Sequence, residues 1–364
     1  MNINISQLNN HFLSKTLKRN NNFNNDNNND IFGEDDTNKK QYVSKICSYN
    51  FFSINEAKIC EKMKNIPYYS NYYHLLHDYD FINIGELNEK FIEKLEFNNN
   101  QKYLLFKYKK EETVDFRDFL LNCKTPKQLI LSVLNSFSYL FDSLIQLNDN
   151  NICFFNLCVE NIVFKEERPI LHNFKKSIHI SKLNEYYITN IIENVGNFIN
   201  KPLEVHVLFY LIHNNLETIS YSFIEDITDY YIKNLNILCF FSQEYNKEFK
   251  NECIKTLKKY INKSKTDILK EILHYHDTWD CYSLSILYLH IFCNILKGFN
   301  INEKFFNDLI QILCKNISPD PLKRENLENT YESYNKLYFL NDNWSFINKI
   351  PIDKMDKIFD FLLE

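Results

Sequence analysis

Glycine and proline are scarce in this chain, at four and seven of 364 residues. No Gly-x-Gly-x-x-Gly segment occurs, and the region before Lys45 contains only Gly33. Without small residues there, backbone amides cannot easily close over the phosphates of a nucleotide. A Gly-x-Ser-x-Gly segment is also absent, which excludes the strained nucleophile turn of α/β-hydrolases. Two common arrangements of catalytic backbone are therefore missing.

Paired cysteines and long apolar runs are missing too. The ten cysteines are scattered singly, without zinc-like spacing, so we expect reduced, buried thiols in an intracellular protein. The N-terminus lacks the order of a signal peptide, and no run approaches the ~18 apolar residues of a membrane span. The net charge of -5 does not favour nucleic acid as a partner. We expect a soluble cytoplasmic protein that binds neither membrane nor nucleic acid.

Hydrophobic residues are abundant, at 45% of the chain with 16% aromatic, enough for one large two-lobed domain or two ordinary ones. Residues 1–40 form an Asn-rich segment that is predicted to be flexible, because it is too polar to repay the entropy of ordering. Residues 41–110 predict a small sheet with one helix, which has a Ser start signal and a proline stop. The strand-like segments are "QYVSKICSY", "FINIGEL" and "KYLLFKY", and the helical one is "SINEAKICEKMKNIP".

The rest of the chain is predominantly helical in pattern. Apolar residues recur at three- and four-residue steps from Leu129 to Ile145, which predicts a long amphipathic helix. The segment "NIVFKEERPILHNF" predicts two short strands. Further helices are predicted for "HVLFYLIHN", "ECIKTLKKYI" and "YSLSILYLHIFCNIL".

One stretch, "FFNLCVEN" from Phe154 to Asn161, resembles the catalytic loop H-R-D-L-x-x-x-N of protein kinases. Its Leu, Glu and final Asn fit, while the His is lost and Asn156 stands at the position of the catalytic Asp. Twelve residues beyond Asn161, the metal-binding D-F-G lies over Asn173-Phe174-Lys175, where only the Phe is kept.

Three further motifs extend the resemblance to roughly residues 40–330. "PLE", ending at Glu204, resembles the A-P-E that closes the activation segment, and "WDCYSLS" resembles D-x-W-S-x-G with Asp280 as its Asp. "DPLKR" supplies D-P-x-x-R, whose Arg324 is implied to form a buried ion pair with Glu204. Glu204 and Asp280 lie farther apart than is usual in the family, which implies a helical insertion that could serve as a partner surface.

The resemblance implies an α+β, protein-kinase-like two-lobe fold, with a small β-rich N-lobe and a large helical C-lobe that carries the insertion. The expected boundaries are a flexible segment at 1–40, an N-lobe at 41–110, a C-lobe at 111–340 with an insertion at about 206–275, and a C-terminal helical extension at 341–364.

The substitutions remove chemistry that a kinase needs. Asn156 cannot act as a base, and a positioned base is worth a factor of ~100 to 10,000 in rate. Asn173 offers magnesium a neutral carbonyl in place of a carboxylate, which leaves Asn161 as a family-type metal ligand. Lys45 is the best candidate for the lysine that grips the phosphates. Glu56, eleven residues after Lys45, is its expected partner on the helix, and Glu61, sixteen residues after Lys45, is the alternative.

We therefore expect a catalytically impaired pseudokinase that acts as a binding or scaffold module with a protein partner. A divergent Ser/Thr kinase, in which Asn161, Asn173 and Glu160 share the metal, stays open as an alternative. So does a helical interaction protein without a nucleotide site. ATP and magnesium are the implied cofactors if the protein is active, and none is required otherwise. Composition and motifs are similar to kinase-like proteins of large DNA viruses and AT-rich protists; the viral case would place the protein in the host cytoplasm.

Overall fold

The computed structural model describes residues 42–82, 102–193, 200–355 and 358–359. The segment expected to be flexible, 1–40, lies outside these residues. The chain divides into two compact units, the first comprising Met1–Thr113 with His172–Lys175 and the second comprising the remainder.

The first unit contains a three-stranded antiparallel sheet and one helix. Its strands are β1 (Tyr42–Ser48), β2 (Leu76–Ile82) and β3 (Tyr103–Lys109), and the helix α1 (Phe51–Met63) connects β1 to β2. Strand β3 lies in the centre, paired with β1 on one side and β2 on the other. The expected strand "FINIGEL" overlaps β2 at Phe81 and Ile82, and its other residues lie outside the described residues.

Helix α1 begins earlier than its predicted Ser start. The N-cap is Asn50, whose Oδ1 accepts hydrogen bonds from Phe52 N at 3.0 Å and Ser53 N at 3.1 Å. Ser53 completes a capping box by accepting from Asn50 N at 3.1 Å. The serine is thus the third helical residue, since asparagine satisfies the orphan N–H groups equally well.

The second unit is mainly helical and has two small sheets. The three-stranded sheet has the order β4-β6-β7 and the two-stranded sheet pairs β5 with β8. The strands are β4 (Val114–Asp115), β5 (Ile152–Cys153), β6 (Ile162–Lys165), β7 (Arg168–Leu171) and β8 (Ile178–His179). The helices are α2 (Phe116–Leu121), α3 (Pro126–Asp149), α4 (Glu185–Glu193), α5 (Leu203–His213), α6 (Tyr221–Asn234), α7 (Gln243–Leu257), α8 (Lys265–Leu273), α9 (Trp279–Phe299), α10 (Lys304–Asn316) and α11 (Leu327–Leu340).

Two helices form the centre of this unit. Helix α3 begins at Thr125, which caps it, and Pro126, which suits the first helical position. It packs against α9, where Ser136 Oγ and Tyr288 OH share a hydrogen bond of 2.7 Å and the Phe137 ring lies 4.6 Å from that of Tyr288.

Both central helices are apolar enough to qualify as membrane spans by length and composition alone. The segments concerned are α3 and His276–Phe299, which contains α9. By this test of length and composition, the expectation that no apolar run approaches a membrane span is wrong. Inside the protein, 56% and 72% of the two apolar windows are buried, as a position in the core requires. A core helix that is apolar on most sides passes the same test as a membrane span.

The insertion expected at about 206–275 contains most of α5 together with α6, α7 and α8. Within the segment expected to be a C-terminal helical extension, 341–364, the described residues form two short 3-10 helices, Ser345–Lys349 and Ile352–Lys354, and Met355 and residues 358–359 are α-helical. Pro351 lies between the two 3-10 helices and cannot donate the hydrogen bond that a continuous helix needs. Of the residues beyond Met355, only 358–359 are described.

Candidate functional site

The loop from Phe154 to Asn161 is anchored by a buried carboxylate. Asp280 lies in the first turn of α9 and is 4% exposed. Its Oδ2 accepts a hydrogen bond from Phe154 N at 2.6 Å and its Oδ1 accepts one from Phe155 N at 2.7 Å. Burial raises the pKa of Asp280, and these two N–H donors oppose the rise. The carboxylate thus fixes the backbone directly before Asn156.

Phe155 has a left-handed backbone, with φ of 60°. For a bulky side chain this conformation costs about 1 to 3 kcal/mol and persists only where neighbours over-determine it. Here the Phe155 N–H is held by Asp280, its carbonyl accepts a hydrogen bond from Lys201 Nζ, and its ring lies 5.4 Å from that of Trp279. The loop is therefore a rigid, strained element.

Asn156 is half-buried and comes directly after the strained residue. Its N–H donates to Phe154 O at 2.7 Å, and its carbonyl accepts from Asn161 Nδ2 at 2.8 Å. Asn161 is 3% exposed and also donates to Cys158 Sγ at 3.1 Å. The amide nitrogen of Asn161 thus holds the loop closed on itself. The side chain of Asn156 remains a neutral amide, which can orient a hydroxyl group but cannot remove its proton.

The residues at the kinase-type metal positions do not fit magnesium. This hard cation prefers anionic oxygen, and Asn161 and Asn173 are both neutral amides. Glu160, the carboxylate nearest in sequence, is exposed. Among the described residues, no three side chains of His, Cys, Asp or Glu come together as a metal site.

Glu204 and Arg324 meet in the core of the second unit. Arg324 donates from Nη1 to Glu204 Oε1 at 2.9 Å and from Nη2 to Oε2 at 2.5 Å, with side chains only 1% and 2% exposed. The remaining polar atoms are also used. Trp279 Nε1 donates to Glu204 Oε1 at 3.1 Å, and Arg324 Nε donates to Ser318 O at 2.9 Å. The pair is therefore a fully hydrogen-bonded structural element.

Lys201 is a buried cation that the sequence did not single out. It is 3% exposed, and its Nζ lies 4.4 Å from the centre of the Phe155 ring. Burial lowers the pKa of Lys201 to about 8, and the Asp280 carboxylate opposes this shift. The available signal is a lysine within the largely apolar run "NFINKPLEVHVLF", directly before the "PLE" motif.

In the first unit, Glu56 is buried at 5% exposure on helix α1. Tyr108 OH donates to Glu56 Oε1 at 3.2 Å, and the Phe174 N–H also contributes a hydrogen bond. Burial raises the pKa of Glu56, while Lys45 on β1 opposes the rise. Glu61, the alternative helix partner, is exposed. The structure thus places Glu56 within electrostatic range of Lys45.

Residues Asn173-Phe174-Lys175 lie against α1 within the first unit. Asn173 is left-handed, with φ of 66°, a conformation that asparagine tolerates. Phe174 is completely buried, and its ring meets that of Tyr73 edge-on at 5.9 Å. The carbonyl of Lys175 accepts from Asn55 Nδ2 at 3.1 Å. The tripeptide is therefore held by its backbone and by the one side chain that fits the D-F-G motif.

Comparison by sequence finds no matching family model and no similar curated protein. Among solved structures, the chain is similar to the twitchin kinase region of C. elegans, at 14% identity and a TM-score of 0.43, over 88% of this chain and 44% of that one. It is also similar to the autoinhibited serine kinase domain of the giant muscle protein titin, at 11% identity and a TM-score of 0.42, over 90% of this chain and 81% of that one. A structure of titin kinase with its flanking domains is similar at 10% identity and a TM-score of 0.42, over 90% of this chain and 47% of that one. The chain thus spans less than half of two of these proteins. At such identities and TM-scores, the similarity is too low to establish the fold or a function.

Proposed function

We propose that this protein is a kinase-like pseudokinase that acts as a binding or scaffold module. The observation that carries the proposal is the contrast within the loop at 154–161. Its backbone is fixed by Asp280 with two short hydrogen bonds, yet the residue it presents, Asn156, is an amide. A loop whose backbone is fixed so firmly, around a side chain that cannot act as a base, supports a binding role over phosphoryl transfer.

The kinase-like fold is part of this proposal. Three features support it: the strand–helix–strand–strand order of the first unit, the carboxylate of Asp280 on the loop backbone, and the Glu204–Arg324 ion pair. The last two join residues that the motifs had assigned to lobe-building positions. We propose that the two compact units correspond to the small and large lobes of that fold.

The divergent-kinase alternative requires Asn161, Asn173 and Glu160 to share a metal. Two of these three residues are neutral amides, and Glu160, which is the carboxylate among them, is exposed, so this arrangement has little support. The alternative of a helical interaction protein accounts for the helices α6 to α8, but gives no reason for a strained, anchored loop. We rank both below the pseudokinase.

We propose a protein as the partner, with the inserted helices α6 to α8 as its contact region, and neither nucleic acid nor membrane. The net charge of -5 supports the exclusion of nucleic acid. All ten cysteines are free thiols. Free thiols throughout are typical of a reducing compartment, and we propose the cytoplasm.

The test is transfer of radiolabelled phosphate from ATP by the purified full chain, with magnesium or manganese. We expect no autophosphorylation and no transfer to generic protein substrates. Robust labelling that disappears in an Asn161→Ala variant contradicts the proposal and favours the divergent kinase. Thermal unfolding with and without nucleotide separates the third alternative, since a helical interaction protein shows no shift with any nucleotide.

A further inference from the structure

Lys175 stands where the D-F-G motif has its glycine, and it brings a cation to the site. Its carbonyl is tied to helix α1 by Asn55 Nδ2 at 3.1 Å. One residue further along α1 is Glu56, and the Phe174 N–H contributes a hydrogen bond to that carboxylate. Lys175 is half-buried, so its side chain is neither free in solvent nor enclosed in the core.

Lys45, on strand β1, also acts electrostatically on this carboxylate. It pairs with Phe106 across β1 and β3, so the two side chains lie on one face of the sheet. Tyr108 is two residues further along β3 and therefore lies on that face as well. Its hydroxyl donates to Glu56, which shows that this is the face covered by α1.

Two ammonium groups thus lie in the electrostatic environment of one buried carboxylate. Glu56 already accepts from Tyr108 and Phe174, and among the described residues neither Lys45 nor Lys175 has an ion pair within 4.0 Å. Burial and the neighbouring Lys45 both lower the pKa of Lys175, while Glu56 opposes this effect. The cluster carries an excess positive charge and has internal repulsion, which a bound anion would relieve.

We propose that Lys45 and Lys175 form an anion subsite that binds the phosphate chain of a nucleotide without a divalent metal. The ammonium of Lys175 supplies positive charge next to Asn173, whose neutral amide is a poor ligand for magnesium. A lysine is a compact point charge with three donors and suits a phosphate oxygen. The inference rests on the proposed pseudokinase function, since a site that binds phosphate without metal is suited to binding and not to transfer.

The experiment is calorimetry of the full chain with ATP and, separately, inorganic tripolyphosphate, each in excess EDTA and in magnesium. We expect both ligands to bind in EDTA with affinities within about threefold of those in magnesium. Lys45→Ala and Lys175→Gly should each weaken binding about tenfold or more, as expected when one of two charges is lost. Lys175→Arg should retain most of the affinity because it keeps the charge.

Lys58→Ala is the matched control, because Lys58 lies exposed on the same helix, and it should bind as the wild type does. Melting without ligand establishes that each variant is folded, and Lys175→Gln replaces Lys175→Gly if the glycine destabilises the chain. Affinity that falls more than about tenfold in EDTA overturns the inference, as does unchanged binding in both Lys175→Gly and Lys175→Gln. Absence of tripolyphosphate binding also overturns it. The phosphate-transfer assay tests the pseudokinase function separately from calorimetry. Failure of the anion subsite can therefore be distinguished from failure of the proposed function.

Discussion

Arg324 and Glu204 join two segments 120 residues apart through a pair of parallel hydrogen bonds in a buried site. The arrangement is bidentate, the geometry that makes Arg and carboxylate a specific pair. Both partners have further hydrogen bonds, so neither charge is left unsatisfied. This relationship links the start of α5 to the turn before α11, and it makes the second unit dependent on one side chain.

Arg324→Ala should therefore destabilise the protein severely. Removal of one partner of a buried ion pair strands the other charge, at about 3 to 5 kcal/mol, which is enough to unfold a marginal domain. We expect insoluble protein or a large fall in the urea midpoint. Lys323→Ala is the control, because the adjacent Lys323 pairs with Glu252 on an exposed surface and should change stability by less than about 1 kcal/mol. An unchanged melting temperature for Arg324→Ala contradicts the structural role of the pair.

Asp280→Asn should loosen the loop that carries Asn156. An asparagine has one acceptor oxygen in place of two, so either Phe154 N or Phe155 N loses its partner, and a buried unsatisfied donor costs about 1 to 3 kcal/mol. Hydrogen exchange at the amides of Phe154 and Phe155 should accelerate by more than the fall in the global free energy of unfolding explains. Asp277→Asn, at a more accessible position three residues earlier, should leave both measurements near the wild type. If the two amides exchange as slowly in Asp280→Asn as in the wild type, the carboxylate does not hold the loop.

Lys201 should give the protein a distinctive pH dependence. An unfolded lysine has a pKa of about 10.4, so above about pH 8 the folded state binds fewer protons than the unfolded state. The cost of burying the charged amine is full below about pH 8 and is relieved as pH rises towards about 10.4. Relative to Lys201→Met, the wild type should gain stability over that window, by about 3 kcal/mol at most.

Urea denaturation of both proteins from about pH 7 to about pH 9.5 measures this difference. Thiols and phenols that titrate in the same range are common to the two proteins, so only the difference between the curves is informative. Parallel curves would mean that Lys201 does not titrate in this window.

The sequence predicted much of the local structure but less of the long-range contacts. Strand β1 is predictable from its β-branched and aromatic residues, and helix α1 and the long helix α3 are predictable from apolar residues at helical intervals. The Glu204–Arg324 partnership needed a motif as well, since spacing alone does not show that residues 120 positions apart are neighbours. Lys201 had no such motif. Its role depends on a carbonyl and a carboxylate brought together only by the tertiary fold.

The second cation near Glu56 was missed for a similar reason. Lys175 looked like the loss of a glycine, and only the folding of residues 172–175 against α1 brings its charge near Glu56. The cap at Asn50 shows a smaller failure of the same kind. Two residues three positions apart, Asn50 and Ser53, were both good caps, and local propensity could not choose between them.

Asn156→Asp combined with Asn173→Asp should not create a kinase. The double change restores the two carboxylates of the family motifs, but the sequence still lacks the glycine segment that would hold phosphates through backbone amides. We expect no transfer above background in the radiolabel assay, and a stronger effect of magnesium on ATP affinity, because Asp at position 173 offers the metal an anionic ligand. Transfer by the double variant that is abolished by Asn161→Ala would show that two carboxylates are all the site lacks.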